Sequence, residues 1–599
     1  MSETQAEQRQ LAIKTGVVKR LTKELAVYAQ ETDAQAAKTQ QYIADGRDAY
    51  DIKKQMVPDT RRRLADATSD LDVYLHGASD AAKHTPEHVA AVAALAAAQP
   101  RAAGARLSMA PPPVSVKFLG TGTTPVPSRN YSSLLVRIGQ HAVMVDCGEG
   151  TQRQLLSSHI RAESRLSQIH LVLITHLHPD HTLGLVPMML SMMGPSAPSA
   201  TTSPRLVIIG PLGLRALVRT TLALCYASLG NEFVVHEMLW PGQPEYPHDA
   251  PGQAPLVYEE SGDYLPAHVR GQRRVLPVMP PHENELLGRN IRMDVSSGTW
   301  ADIASVADTG VTISAAPITH RCPTVGYVFQ EAANSSQGVS PRDLAVLDSN
   351  TEALFHQHGI SRPRTLLPRL LRDREPLRLP DGSVLHPPPR DRPGRKLCIL
   401  GDTSDASGGL RDMAEPGAPH PGMLTLARDA DLLVHECTYA AMDGAAMQAA
   451  RAVSADHAAL LARSLLREDE AEPRALSRGH SVPRIVGEFA GELAARHVVV
   501  NHFSARIPAP RVTTHAPLES VTQLSAAAPS RAESVRWFHV LKEIERQVTV
   551  SWHDTLRRNA DSHPDTCVRG SERPCDTRAI AAYDGLTVSI PPRAPAHDT

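Results

Sequence analysis

The spacing of apolar and polar positions divides the chain into stretches with different periods. Over residues 8–76 the apolar side chains recur at helical spacing. Ile13, Val17, Leu21, Leu25 and Tyr28 share one helical face, and Leu64, Ala67, Leu71, Tyr74 and Leu75 share another. Pro58-Asp59 separates the last helix from the one before it, with Asp59 or Thr60 as its cap. This pattern predicts a small antiparallel helical bundle over about 1–80. Residues 81–113 are Ala-rich and end in Pro111-Pro112-Pro113, the composition of a linker, with one short helix expected over 86–98. From Val114 the period changes. Short apolar strands, such as 115–119, 133–138 and 142–145, alternate with helical stretches, which is an α/β grammar.

Three segments of this second part read as insertions. Residues 241–300 are rich in Pro and Gly, residues 331–396 are long, Pro-rich and basic, and residues 440–478 are Ala-rich and expected to be helical. The tail over 556–599 is polar and Pro-containing, which predicts disorder. The 599 residues leave room for several domains, and a net charge of −2 excludes a global field that would draw the chain onto nucleic acid. Any such site must be a local patch. The seven cysteines form no CxxC pair, and Cys147, Cys225, Cys322, Cys398 and Cys437 read as reduced, buried thiols. The polar, acidic start Met1–Glu7 does not resemble a signal peptide, and no apolar run is long enough to span a bilayer. The expectation is a soluble cytoplasmic protein with no membrane partner; a nuclear or organellar address is also compatible.

The chemistry concentrates in Thr175-His176-Leu177-His178-Pro179-Asp180-His181, which follows the apolar run Leu171–Ile174. Pro179 is expected to block a helix here and to hold the four ligand-type side chains on a tight loop at a strand end. Imidazole and carboxylate suit a borderline cation such as zinc, and four such groups so close in sequence suggest two metals rather than one. Further apolar runs end in ligand types: 143–145 in Asp146, 313–318 before His320, 397–401 before Asp402, and 497–500 before His502. Taken singly, each of these is more often a turn, a cap or an ordinary polar residue. Beside the histidine run they become a set of strand-end ligands on a rigid frame.

His178-Pro179-Asp180-His181 and its neighbours resemble the signature of the metallo-β-lactamase superfamily. That resemblance implies a four-layer αβ/βα sandwich with metals along one edge. Several blocks resemble tRNase Z of the short type more narrowly. They are Lys117–Gly122 with Pro127–Asn130, Asp146–Leu155, His320 with Gly326-Tyr327, Gly401-Asp402-Thr403, His435–Tyr439, Gly479-His480-Ser481 and His502–Arg506, in the family's order. The resemblance runs through a domain over 114–555. Pro179, Val328-Phe329, Asn501 and Ile507 depart from the family's residues without removing a ligand.

The resemblance implies two zinc ions per chain. His176, His178 and His320 would hold one, Asp180, His181 and His502 the other, and Asp402 would bridge them. Asp180 would also orient or deprotonate the attacking water, and His435 would be the general acid, oriented by Glu436 and His480. Asp146 would fix ligand histidines from behind. In 331–396, Arg362, Arg364, Arg369, Arg372, Arg374 and Arg378, followed by Arg390, Arg392, Arg395 and Lys396, would grip phosphates of precursor tRNA; a solvated loop is the plainer reading. The family also implies a homodimer.

The N-terminal segment resembles tubulin-binding cofactor A in Lys14–Leu21, Tyr50–Gln55 and Val57–Leu64. This implies a three-helix bundle that captures β-tubulin through residues 8–76. The whole then reads as a multidomain chain, all-α and then α/β. Its leading function is a zinc endoribonuclease that cuts the 3′ trailer from precursor tRNA. The alternatives are a hydrolase of small phosphodiesters or thioesters, and a tubulin-folding cofactor with a passenger hydrolase domain.

Overall fold

The computed structural model describes residues 112–157, 166–194, 206–247, 254–260, 268–333, 339, 341–360, 363–371, 375–387, 393–409, 422–514, 516–525, 531–562 and 577–593. The expected bundle over 8–76 and the linker over 81–111 lie outside them, as does the short helix over 86–98. The chain divides into two compact units, 111–335 with 389–599, and 1–110 with 336–388.

Among the described residues, the larger unit is built on two large sheets. The first has β1 (Val114–Gly120), β2 (Ser133–Ile138), β3 (His141–Val145), β4 (Ile169–Leu173), β5 (Leu206–Pro211), β6 (Phe233–Leu239) and β7 (Asn290–Arg292). The second has β8 (Trp300–Val306), β9 (Val311–Ile318), β10 (Thr324–Glu331), β11 (Lys396–Leu400), β12 (Leu432–Glu436), β13 (Val498–Asn501) and β14 (Ile580–Ala581). A last strand, β15 (Thr587–Ile590), returns to the first sheet. The spatial orders are β7-β6-β5-β4-β3-β2-β1-β15 and β8-β9-β10-β11-β12-β13-β14, with Glu285–Leu286 also beside β6. From β3 to β6, and from β11 to β14, neighbouring strands are parallel. These central strands are buried on both faces, which is why they read as continuous Val/Leu/Ile runs.

Three hydrophobic cores define four layers. The central one joins the two sheets through Val116, Phe118 and Val136 against Ile313, Tyr327, Ile399 and Val434. The outer face of the first sheet is covered by α1 (Leu185–Met193) and α2 (Leu214–Leu224), with Met188, Met189, Met192 and Val218 buried. The outer face of the second is covered by α3 (Pro483–Glu492) and α4 (Arg531–Ser562), through Val486, Phe489, Ile544 and Trp552. Gly487 and Gly491 let these two helices touch, because a β-carbon at either would strike Ser551 or Thr555. The helix–sheet–sheet–helix order is the αβ/βα sandwich that the resemblance implies.

Several segment boundaries differ from expectation. The tail is ordered over 577–593. There β14 pairs with β13 and β15 with β1, so it adds an edge strand to each sheet. Between them Asp584 accepts hydrogen bonds from Thr121 Oγ1 (2.7 Å) and the Asn130 amide (2.6 Å). Residues 241–300 are only partly an insertion, since 285–292 extend the first sheet beside β6. A buried ion pair from Arg219 to Glu285 at 2.8 Å holds them there, and Arg215 donates to Asn290 Oδ1 and to the Arg289 carbonyl, both at 2.8 Å. Residues 440–478 are helical over Gly444–Val453, Ala455–Ser464 and Glu468–Ser477, as expected. Cys225 is exposed and Cys322 half-buried, whereas Cys147, Cys398 and Cys437 are buried thiols.

The basic segment is shorter than 331–396. Glu331 ends β10 and Lys396 opens β11, and the buried Arg395 binds Glu331 at 2.8 Å. Arg395 and Lys396 therefore belong to the sandwich. The smaller unit retains 336–388. Its described part has helices Pro341–Ser349, Thr351–His358 and Leu367–Leu371 and a two-stranded ribbon, Leu377–Arg378 with Val384–Leu385. Leu347, Leu354, Leu370, Leu377 and Leu385 form its own small core.

Candidate metal centre

The candidate ligands sit at the ends of β4, β9, β11 and β13, where the two sheets share an edge. Pro179 does not block a helix. It occupies the first position of a short one, Pro179–Thr182, with His178 before it, since a proline's fixed φ and missing N–H suit that place. Asp180 and His181 then fall within one turn and reach a different cluster from His176 and His178.

In the first cluster His178 Nδ1 lies 3.0 Å from His176 Nε2 and 3.2 Å from His320 Nε2. In the second, His181 Nε2 lies 3.2 Å from His502 Nε2, and Asp180 Oδ2 is 3.4 Å from the latter and 3.6 Å from the former. Asp402 stands between them. Its Oδ2 faces His176 (3.7 Å) and His320 (3.9 Å), while its Oδ1 faces His181 (3.4 Å) and His502 (3.3 Å). Ligand nitrogens about 2.0–2.1 Å from one tetrahedral zinc stand about 3.3 Å apart. The imidazole spacings here fit that requirement, and the donor set suits zinc. The structure thus brings together all seven expected ligands: His176, His178, His320, Asp180, His181, His502 and Asp402.

The electrostatics agree with this donor chemistry. Burial pushes His320 down to about 4, leaving a neutral imidazole whose Nδ1–H donates to the Gly479 carbonyl at 2.6 Å. Gly479 has φ +73°, and a side chain there would collide with His320. Burial opposes charge on Asp402, but the facing His502 and His181 hold its carboxyl well below the usual range. Burial alone would lower His181, while Asp402 and Asp146 raise it instead. Asp146 binds His181 Nδ1 (2.7 Å), the Thr175 amide (2.8 Å) and the Thr175 hydroxyl (2.8 Å). It thus stands behind the candidate ligand His181 and the Thr175 that precedes His176. Asp146 and His502 both adopt left-handed backbones, φ +58° and +57°, a conformation uncommon outside glycine and found at functional sites.

The general-acid expectation needs correction. His435 is buried and its Nδ1–H donates to the Glu436 carbonyl oxygen at 2.7 Å. Its Nε2 has no partner among the described residues, and its ring lies edge-on to Phe489 of α3. Strand alternation explains this: on β12, Leu432 and Val434 face the inner core and Leu433 the outer, so Glu436 points inward and His435 away from the ligands. Glu436 orients His480, not His435. Its Oε1 lies 3.0 Å from His480 Nδ1 and accepts from the Thr403 and Ser481 amides, both at 3.1 Å. His480 Nδ1 stands 3.9 Å from Asp402 Oδ2, and its ring is partly exposed.

Of the six expected substrate arginines, Arg362, Arg372 and Arg374 lie outside the described residues, as do Arg390 and Arg392. Arg364 pairs with Asp348 (2.7 Å) and Arg369 with Glu375 (2.9 Å), while Arg378 is exposed on the ribbon.

Residues 6–95 match a family model described as Tubulin binding cofactor A, and residues 114–212 one described as Anti-Pycsar protein Apyc1. Zinc phosphodiesterase ELAC protein 1 of Homo sapiens is 27% identical over 427 residues, which are 70% of this chain and 93% of that protein. A crystal structure of the human tRNase Z, short form, is 24% identical over 65% of this chain and 93% of that one, with a TM-score of 0.36. Tubulin folding cofactor A of Arabidopsis thaliana is 36% identical over 16% of this chain and 97% of its own, with a TM-score of 0.14. Both resemblances read from the sequence, to short-type tRNase Z and to tubulin-binding cofactor A, are met.

Proposed function

We propose that this chain is a zinc-dependent endoribonuclease of the tRNase Z type, which cuts the 3′ trailer from precursor tRNA and leaves a 3′-hydroxyl. The observation that carries the reading is Asp402, whose two carboxylate oxygens face separate histidine clusters. The similarity to a zinc phosphodiesterase along 70% of the chain supports it. Bound there, two zinc ions would acidify a water and neutralise phosphate oxygens.

The chain's own residues supply the rest. Asp180, on its helical turn, stays ionised because His502 and His181 outweigh its burial, and it orients the attacking water and takes its proton. His480 replaces His435 as the general acid for the leaving 3′ oxygen. It is the histidine that is both exposed to the site and backed by a carboxylate, and Glu436 raises its proton affinity against the effect of burial. The arm over 336–388 holds tRNA phosphates through its exposed basic side chains. The chain acts as a homodimer, which sedimentation would test.

The N-terminal segment, through its match to tubulin binding cofactor A, adds a β-tubulin-capturing module. Gel filtration of the full chain with tubulin should give a complex that deletion of residues 1–95 removes. The nuclease test is incubation with precursor tRNA, with and without chelator, and mapping of the new 3′ end. A chelator-sensitive cut beside the discriminator base is expected. Cleavage of small diesters or thioesters with none of tRNA would favour the general hydrolase instead.

A further inference from the structure

Each of the five candidate ligand histidines has its second ring nitrogen beside a different group. Thr175 Oγ1 lies 3.0 Å from His176 Nδ1, Asp146 Oδ2 is 2.7 Å from His181 Nδ1, the Gly479 carbonyl 2.6 Å from His320 Nδ1, and Thr438 Oγ1 3.1 Å from His502 Nδ1. Four of these partners are oxygens. The fifth histidine, His178, turns the other way, with Nδ1 toward His176 and His320 and Nε2 outward. The group facing that nitrogen is the sulfur of Cys322, at 3.7 Å.

We infer that Cys322 is the positioning residue of His178, its sulfur accepting the Nε2–H hydrogen bond that leaves Nδ1 unprotonated and aimed at the metal. This rests on the two-zinc reading above. The contact is built rather than incidental. Thr324 donates its hydroxyl to the Cys322 carbonyl (2.8 Å), so its oxygen, 3.8 Å from Sγ, is free to accept the thiol proton. The resulting chain runs from the imidazole N–H to sulfur, then from the thiol to a hydroxyl and on to a carbonyl. It does for His178 what Thr175 and Asp146 do for His176. Groups behind a ligand histidine fix its tautomer and raise its basicity, and their loss typically costs about 10- to 100-fold in metal affinity. Sulfur is a weak acceptor, so His178 is held less firmly than its four neighbours.

The same sulfur also lies among the ligand atoms of His176, His178 and His320, within 4.8 Å of each. Direct ligation is therefore the competing arrangement, and cobalt distinguishes the two. The full-length protein, stripped of metal, is titrated with Co2+ by visible and near-ultraviolet absorption. Parent, Cys322→Val and Cys322→Ser are compared, with thermal melts to confirm folding. The expected result is cobalt d–d bands in all three with no intense sulfur-to-cobalt charge-transfer band. Affinity at one site should fall about 10- to 100-fold in the Val variant and return toward the parent in the Ser variant, whose hydroxyl can accept. A charge-transfer band in the parent that both variants lose would overturn the inference in favour of a thiolate ligand. Unchanged affinity in Cys322→Val would overturn it as well. No d–d bands in the parent would remove the metal centre itself, and the inference with it.

Discussion

The metal edge and the basic arm carry their functional groups in opposite ways. At the edge, the candidate ligand imidazoles and carboxylates are held by specific hydrogen-bond partners such as Thr175, Asp146, Gly479 and Thr438. On the arm, the charges are exposed and part of them is already spent: Arg364 on Asp348, Arg369 on Glu375. Exposed pairs of this kind are weak and exchange readily. Chemistry needs preorganised groups, whereas holding a phosphate backbone needs only charge at the right place.

Removing one element of each kind should give the largest effects. Asp402→Ala should abolish hydrolysis of both precursor tRNA and a small phosphodiester. Deletion of 340–387 should abolish only the first, and equal loss of both in the deletion would show that the arm does more than hold tRNA. Next in size is the proton donor. His480→Ala should lower kcat roughly 100- to 10,000-fold on tRNA and far less on an aryl diester whose leaving group needs no proton. His435→Ala should leave kcat near the parent; the reverse ranking would restore His435 as the acid.

A smaller effect concerns pH. Burial lowers the proton affinity of His480 and Glu436 raises it above the usual value. A general acid works only while protonated, so activity falls as pH rises through that value. Glu436→Gln removes the raising charge, and the alkaline limb of the kcat profile should move to lower pH. An unmoved limb would mean that Glu436 acts only as a scaffold. The smallest expected effects are single arginines. Arg378→Ala should flatten the salt dependence of tRNA binding by about one in slope, and Arg364→Ala by less, because Asp348 already engages it.

How much of this was legible in the sequence follows from range. The ligands at 176–181 are local, and the strand ends before His320, Asp402 and His502 announce themselves as apolar runs that stop at a ligand type. The partners behind them are distant, with Cys322 lying 144 residues from His178 and Thr438 lying 64 from His502. Spacing along the chain carries no trace of such pairs. Two further signals lie in the sequence itself. Alternation along Leu432–Glu436 puts Glu436 and His435 on opposite faces, which rules out one of them from the site. In the tail, Tyr583-Asp584-Gly585-Leu586 between Ile580 and Ile590 is a turn signal flanked by apolar residues, the pattern of an ordered reversal rather than of disorder. The arginine count of the arm was legible, but its pairing was not, because Asp348 and Glu375 become partners only through the arm's own fold.

Titrating zinc into metal-free protein while mapping the 3′ ends released from precursor tRNA decides whether one shared carboxylate assembles two metal clusters into a tRNA 3′-end nuclease. No cleavage is expected without metal, with full activity only after the second equivalent per chain and a 3′-hydroxyl beside the discriminator base. Cleavage that survives without metal, saturates at one equivalent, or never appears at that position would contradict it.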